Sequence, residues 1–145
     1  MSDMDVIQSH LEVLMSQHLE TDDLKVDCDG DIGVHADTAR YVARVKKYGH
    51  NVPHIEVYSI VVDGVDADPG LYEALNELNR QLSHARAFWT DRKVVVAGEI
   101  VGSSAELADI ECLCGEVAGM ASDEGPKLAA TFGGEVGFPD GEGDL

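Results

Sequence analysis

Positive charge is the scarcest commodity in this sequence of 145 residues: 10 lysines and arginines stand against 28 aspartates and glutamates, a formal net charge of −18. A surface of that sign repels phosphate, which argues against nucleic acid as a partner and against an anionic membrane surface. No apolar run approaches the ~20 residues of a membrane-spanning helix. The N-terminus has no basic stretch leading into an apolar core, so no signal peptide is read there. Cysteine is sparse and odd in number (Cys28, Cys112 and Cys114), which gives no disulfide framework and points to the cytoplasm. What remains is a 15.6 kDa chain, 44% hydrophobic, with material for one core and not for two.

Apolar spacing lays out the elements. Val6, Ile7, Leu11, Leu14, Met15 and His18 recur at helical intervals, predicting a first helix over residues 3–19. Leu24, Val26 and Cys28 alternate with polar residues, Asp29-Gly30 signals a hairpin turn, and Ile32 and Val34 resume the alternation. From Arg40 to Lys47 the β-formers Tyr41, Ala43 and Val45 share one face, with Arg40, Val42, Arg44 and Lys46 on the other. The run from His54 to Val62 is apolar on both faces toward its end, the pattern of a central strand. Asp68 caps a second helix with Pro69 at its first position, and Leu71, Leu75, Leu78 and Leu82 fall on one side of it.

Two further strand-like runs, Arg86–Thr90 and Lys93–Val101, are separated by Asp91-Arg92. Ser103 or Ser104 is expected to cap a third helix, Ser103 forming a capping box with Glu106. Leu107, Ile110, Cys114, Val117, Ala118 and Ala121 should line its buried face, with Gly115 and Gly119 permitting close backbone approach. Gly125-Pro126 should kink or restart it. The expected order is α-β-β-β-β-α-β-β-α, an α+β domain over residues 1–134 with helices packed on a curved antiparallel sheet. Residues 135–145, rich in glycine and acids, read as a disordered tail.

Three segments carry a resemblance: LYEALNELN (residues 71–79), RAFWTDRKVVVAGEIVG (86–102) and the helix ending in TFGG (131–134). The chain from Leu24 to Gly134 resembles the type III secretion chaperone-like family, with its YbjN-like and actinobacterial TY-Chap domains. The resemblance implies a small curved sheet with helices packed on it. It also implies a homodimer that binds an unfolded segment of a client protein without hydrolysing anything. These segments mark a fold rather than a chemistry.

Chemical motifs are thin. Counted from Asp27, an EF-hand loop needs glycine where Ile32 stands and glutamate where Thr38 stands, so Asp27-Cys-Asp29-Gly-Asp31 reads as a turn with solvated carboxylates. His50 and His54 are spaced like a ligand pair, but Pro53 between them opposes the helix that would hold both imidazoles together. His10 and His18 are two helical turns apart, and His35 and His84 have no partner nearby in sequence. Cys112 and Cys114 point to different faces of a helix, so Cys114 reads as core and Cys112 as a partly exposed thiol. Gly102-Ser103-Ser104 lacks the frame of a nucleophile elbow, and no phosphate loop is present. No catalytic residue, metal site or cofactor is assigned.

Binding residues are easier to nominate. Asn76 and Asn79 lie near one another on the second helix, where their amides either cap backbone groups of adjoining strands or recognise a bound peptide backbone. Phe88 and Trp89 point to opposite faces of a strand, one entering the core and the other facing outward. Leu75, Asn76, Asn79, Leu82, Phe88 and Trp89 are therefore the candidate dimer or client contacts. The first reading is a non-enzymatic homodimeric chaperone-like protein whose acidic surface favours a basic client. A YbjN-like regulatory module docking on a folded protein is the second. A small-molecule enzyme or ligand-binding protein is the third.

Overall fold

The computed structural model describes residues 2–36, 38–49 and 51–137. Helix α1 (Asp3–His18) precedes strands β1 (Ile32–Ala36), β2 (Ala39–Lys46) and β3 (His54–Asp63). Helix α2 (Pro69–Asn79), strands β4 (Ala85–Thr90) and β5 (Lys93–Val101), helix α3 (Leu107–Phe132) and the short β6 (Glu135–Val136) complete the chain. Local chemistry fixes the helix starts. The Ser2 hydroxyl accepts from the Asp5 amide while the Asp5 carboxylate returns to the Ser2 amide. The Asp68 carboxylate accepts from the amides of Gly70 and Leu71, with Pro69 opening α2.

The strands form one antiparallel sheet in the order β1-β2-β3-β5-β4, with β6 paired to the end of β3. The α+β architecture expected from the sequence is present, and α1, α2 and α3 bury their apolar residues against a single face of the sheet. Ile7, Leu11 and Met15 of α1, Leu71 and Leu75 of α2, and Ile110, Leu113 and Val117 of α3 meet Tyr41, Ala43, Ile55, Val57 and Val96 there. The central strand is β3, buried without interruption from Ile55 to Val62. Its register slips by one residue between Ile60 and Val62, a bulge that leaves Val61 and Val62 both in the helical core.

Five local features differ from the expectations. Residues 24–28 form no strand; the Asp27 carboxylate accepts from the amides of Asp29 and Asp31, the turn closes on itself, and Val26 and Cys28 stay exposed, so their alternation buries nothing. The cap of α3 is Glu106, boxed with Asp109, while Gly102–Ser104 form a separate 3-10 turn. The third helix runs through Pro126 unbroken, because Pro126 lies on its exposed side, where the missing amide bond leaves a carbonyl that water can reach. Close approach of α3 to the sheet falls at Gly125, where a β-carbon would stand 3.1 Å from the Val61 carbonyl, whereas β-carbons at Gly115 and Gly119 would meet nothing. Glu135–Val136, inside the expected tail, pair with Asp63 and Val62; residues 138–145 lie outside the described residues.

The connection from α2 into β4 is held by one carboxylate. Glu116 of α3 accepts from the amides of Ser83, His84 and Ala85 at 2.9–3.2 Å and from the Ser83 hydroxyl. Burial alone would raise its pKa, but these donors outweigh it and bring the carboxyl down to about 2. At the other end of the β4–β5 hairpin, Asp91 and Arg92 both adopt positive φ (47° and 61°), the two-residue turn that matches the twist of the strands.

Two outcomes follow for stability. A β-carbon at Gly98 would lie 2.4 Å from Leu113 Cδ1 and 2.5 Å from the His84 carbonyl, so Gly98→Ala should cost about 1–3 kcal/mol in urea unfolding. Glu116 stabilises the fold fully above its ordinary pKa near 4.5 and loses that contribution as pH falls toward 2. Glu116→Gln should therefore cost on the order of 2–3 kcal/mol at pH 7, and the gap to wild type should close between about pH 4.5 and 2. A gap that stays constant across that interval would show that the ionised carboxylate is not what holds the turn.

Candidate functional site

Alternation along the strands places a second set of side chains on the sheet face opposite the helices. They are Arg40, Val42, Arg44 and Lys46 from β2; His54, Glu56, Tyr58 and Ile60 from β3; Val95, Ala97 and Glu99 from β5; and Arg86, Phe88 and Thr90 from β4. Val42, Tyr58, Val95 and Ala97 form a small apolar cluster here, separate from the main core, with Phe88 half-buried against it. Their exposures are only 2–7%, although the helices all lie on the other side.

The cover comes from the chain's own cations. The Arg44 guanidinium lies 4.5 Å above the Tyr58 ring, the Lys46 ammonium 4.5 Å above Tyr48, and the Arg86 guanidinium 5.3 Å above Phe88. Between them sits Glu56, 4% exposed, which Arg44 meets through Nη2 at 2.7 Å and Nε at 2.8 Å and Lys46 approaches at 3.8 Å. Glu99 stands directly across from Glu56 and accepts from the Tyr48 hydroxyl at 2.8 Å. Burial pushes Glu99 upward, but Tyr48, Glu56, Arg86 and His54 together hold its carboxyl below the usual range. The result is a shallow trough of about 170 Å³, floored by Tyr58, Val95 and Ala97 and flanked by Arg44, Lys46, Arg86 and Phe88.

A second depression, about 290 Å³, lies where α1 meets the entry to β3. Asp3, Val6, Ile7, Val52, Pro53 and Ser103 line it, and Val6 and Val52 are each more than half exposed.

The six nominated contacts divide between these surfaces and the core. Leu75 is 4% exposed within the helical core, and Leu82 is half-buried against it. Trp89 faces the helices, donates from Nε1 to the Val65 carbonyl at 2.9 Å, and meets Tyr72 edge-on at 6.4 Å. Phe88 is the outward member of the aromatic pair. Asn79 takes the structural role: its Oδ1 accepts from the Ala87 amide at 2.7 Å and its Nδ2 donates to the Ala87 carbonyl at 3.0 Å. Asn76 is exposed on α2, close to the half-exposed Tyr72. The sequence reading missed the trough itself, although the alternation it assigned to β2 already put Arg40, Val42, Arg44 and Lys46 on one face.

The residues weighed for metal or nucleophile chemistry are dispersed. His10 bonds the Ala105 carbonyl, His54 the Val52 carbonyl and His84 the Ser83 hydroxyl, while His50 lies outside the described residues. Cys114 is buried beside Tyr41, and burial pushes its thiol up to about 12, whereas Cys112 and Cys28 are exposed. Among the described residues no three His, Cys, Asp or Glu side chains gather to hold a metal, and no helix is long and apolar enough to cross a membrane.

With this geometry in place, the relatives can be named. The chain belongs to the TY-Chap1 family, T3SS (YopN, CesT) and YbjN peptide-binding chaperone 1, whose pattern matches residues 5–140. No curated protein matches it. Among solved structures it is similar to a chain of the ExsC–ExsE complex, with 14% identity and a TM-score of 0.62, over 88% of this chain and 97% of that one. It is also similar to a chain of the Yersinia pestis type III secretion chaperone SycH in complex with a stable fragment of YscM2, with 12% identity and a TM-score of 0.56, over 80% and 97%. At these identities the likeness is one of fold, and the fold is the chaperone-like one of type III secretion chaperones and YbjN.

Proposed function

We propose that this chain is a non-enzymatic, homodimeric chaperone-like protein that holds an extended segment of another polypeptide on the bare face of its sheet. The observation that carries this reading is the apolar floor of Val42, Tyr58, Val95 and Ala97, kept from water by side chains alone. Membership in a family of peptide-binding chaperones supports the class of partner. The dimensions favour an extended chain over a small molecule. The trough encloses about 170 Å³, below the ~300–1,000 Å³ typical of small-molecule sites. From β2 to β4 it spans three interstrand steps, roughly 14 Å, enough for one extended strand with its side chains.

Dimerisation in this reading uses the outer surface of α2 and the adjoining hairpin. Asn76 and the half-exposed Tyr72 lie on that surface. Leu75, Leu82 and Trp89 support these contacts from beneath, and Asn79 fixes α2 to the strand. The second reading, a YbjN-like regulatory module, differs in its partner, which would be a folded surface rather than an extended segment.

Site-specific photo-crosslinking in the source cells separates these readings. A benzoylphenylalanine in place of Phe88 should capture a polypeptide through an extended, protease-sensitive segment, and the same residue in place of Tyr72 should capture a second copy of the chain. Capture at Phe88 through a folded surface would select the regulatory module instead. Capture at Val52 with none at Phe88 would move the site to the groove beside α1 and overturn the assignment of the sheet face.

A further inference from the structure

We propose that the segment received by the bare sheet face is acidic, its carboxylates meeting Arg44, Lys46 and Arg86 while its apolar or aromatic side chains settle in the trough against the half-buried Phe88. This rests on the reading of that face as the polypeptide-binding site and adds the chemistry of the partner.

The argument is one of charge segregation. Arg40, Arg44, Lys46, Arg86 and Lys93 lie on this face by register, against Glu56, Glu99 and Asp63, and Asp31 stands near enough to Arg44 to act on it. The rest of the chain is left with 5 basic and 24 acidic residues. A face of net positive sign on a chain of −18 is a local exception, and it coincides with the apolar floor. The cations are also held in place. Stacking on Tyr58, Tyr48 and Phe88 lays them against the sheet, and a guanidinium stacked on a ring keeps N–H donors in its plane for a carboxylate beside it. Glu56 draws on Arg44 and, at 3.8 Å, on Lys46, and Glu99 draws on Arg86, which is exposed on the opposite flank of the trough. An incoming acid thus meets positive charge on both sides of the floor.

The acidic remainder of the surface does not cancel this. At physiological salt, charges beyond about 8 Å are largely screened, while contacts at hydrogen-bond distance keep most of their strength. The chain as a whole repels an acidic partner weakly at long range and selects it at contact. A lysine-bearing segment would be attracted at long range and then meet three cations at the trough.

The test is calorimetric titration of the full chain at physiological salt with short extended peptides sharing one apolar framework and carrying Asp and Glu, the matching Asn and Gln, or Lys. The acidic peptide should bind about tenfold more tightly than its amide counterpart, the effect of two or three partly exposed ion pairs. Lys46→Gln with Arg86→Gln should abolish that preference, whereas Arg80→Gln and Arg92→Gln, on exposed groups elsewhere, should keep it. Equal binding of acid and amide peptides, or tighter binding of the lysine peptide, would overturn the acidic assignment. If that binding were still lost on Phe88→Ala, the sheet face would stand as the polypeptide site. Acidic peptide that binds only after Asp140→Asn, Glu142→Gln and Asp144→Asn would put the chain's own acidic residues on the face and overturn the assignment to a partner. No binding of any peptide, with the face shielded between two copies, would overturn both the acidic assignment and the site.

Discussion

Everything in this fold follows from a central strand that is buried on both sides while helices are available for only one. Eight successive residues of β3, Ile55 to Val62, lose their contact with water. On the helical side the solution is ordinary packing of α1, α2 and α3 into one core. On the other side Tyr58 and its neighbours Val42, Val95 and Ala97 must be covered by something, and the chain lays long cationic side chains and Phe88 over them. That arrangement also brings in the buried Glu56, because a carboxylate removed from water needs a close partner and Arg44 supplies one through two nitrogens. Burial of β3 and preorganisation of the bare face are therefore one structural decision.

The same sheet limits where another chain can join by strand pairing. At the β4 edge the outward amide and carbonyl of Ala87 are both satisfied by the Asn79 side chain, so α2 closes that edge at its centre. Glu116 fixes the amides that lead into β4, and Trp89 is anchored to the Val65 carbonyl. These bonds make α2 and β4 a rigid unit with an outer surface, rather than an open template for another strand. Side-chain packing, not ladder extension, is the mode of contact left to this end of the sheet. A segment lying across the face meets no such obstruction.

How much of this was readable in the residues depended on whether a pattern was local. The Asp68-Pro69 start of α2, its buried Leu71, Leu75 and Leu78, the central character of β3 and the two-residue turn at Asp91-Arg92 are specified by neighbours in sequence and are where the pattern put them, whereas Leu82 falls past the end of α2. The alternation of Leu24, Val26 and Cys28 failed as a strand signal because only Leu24 packs against the core while Val26 and Cys28 stay exposed, which alternation alone cannot report. Ser103 with Glu106 reads as a capping box, but Gly102–Ser104 form a 3-10 turn and α3 instead starts after Glu106, boxed with Asp109. Pro126 is tolerated because of which side of the helix it occupies, a property of tertiary position. For the candidate site, the partition of Phe88 from Trp89 was legible, and so was the facing of Arg44 and Lys46. What could not be read was that β4, paired to β5, would carry Arg86 and Phe88 to the same face as the outward residues of β2.

That last point changes how the charge of the chain should be used. A net charge of −18 invites the inference of a basic partner, because it describes the field felt at a distance. Binding is decided at contact, where the relevant sum runs over a few side chains within a Debye length. On the bare face those side chains are mostly cationic, and the structure needs them there whether or not a partner is present, since they shield the apolar floor. Replacing them with acids to match the rest of the surface would set like charges beside Glu56 and Glu99 and leave both carboxylates without counter-ions. The fold's own requirement thus creates a local positive surface, and a partner that carries acids meets a face already organised to receive them.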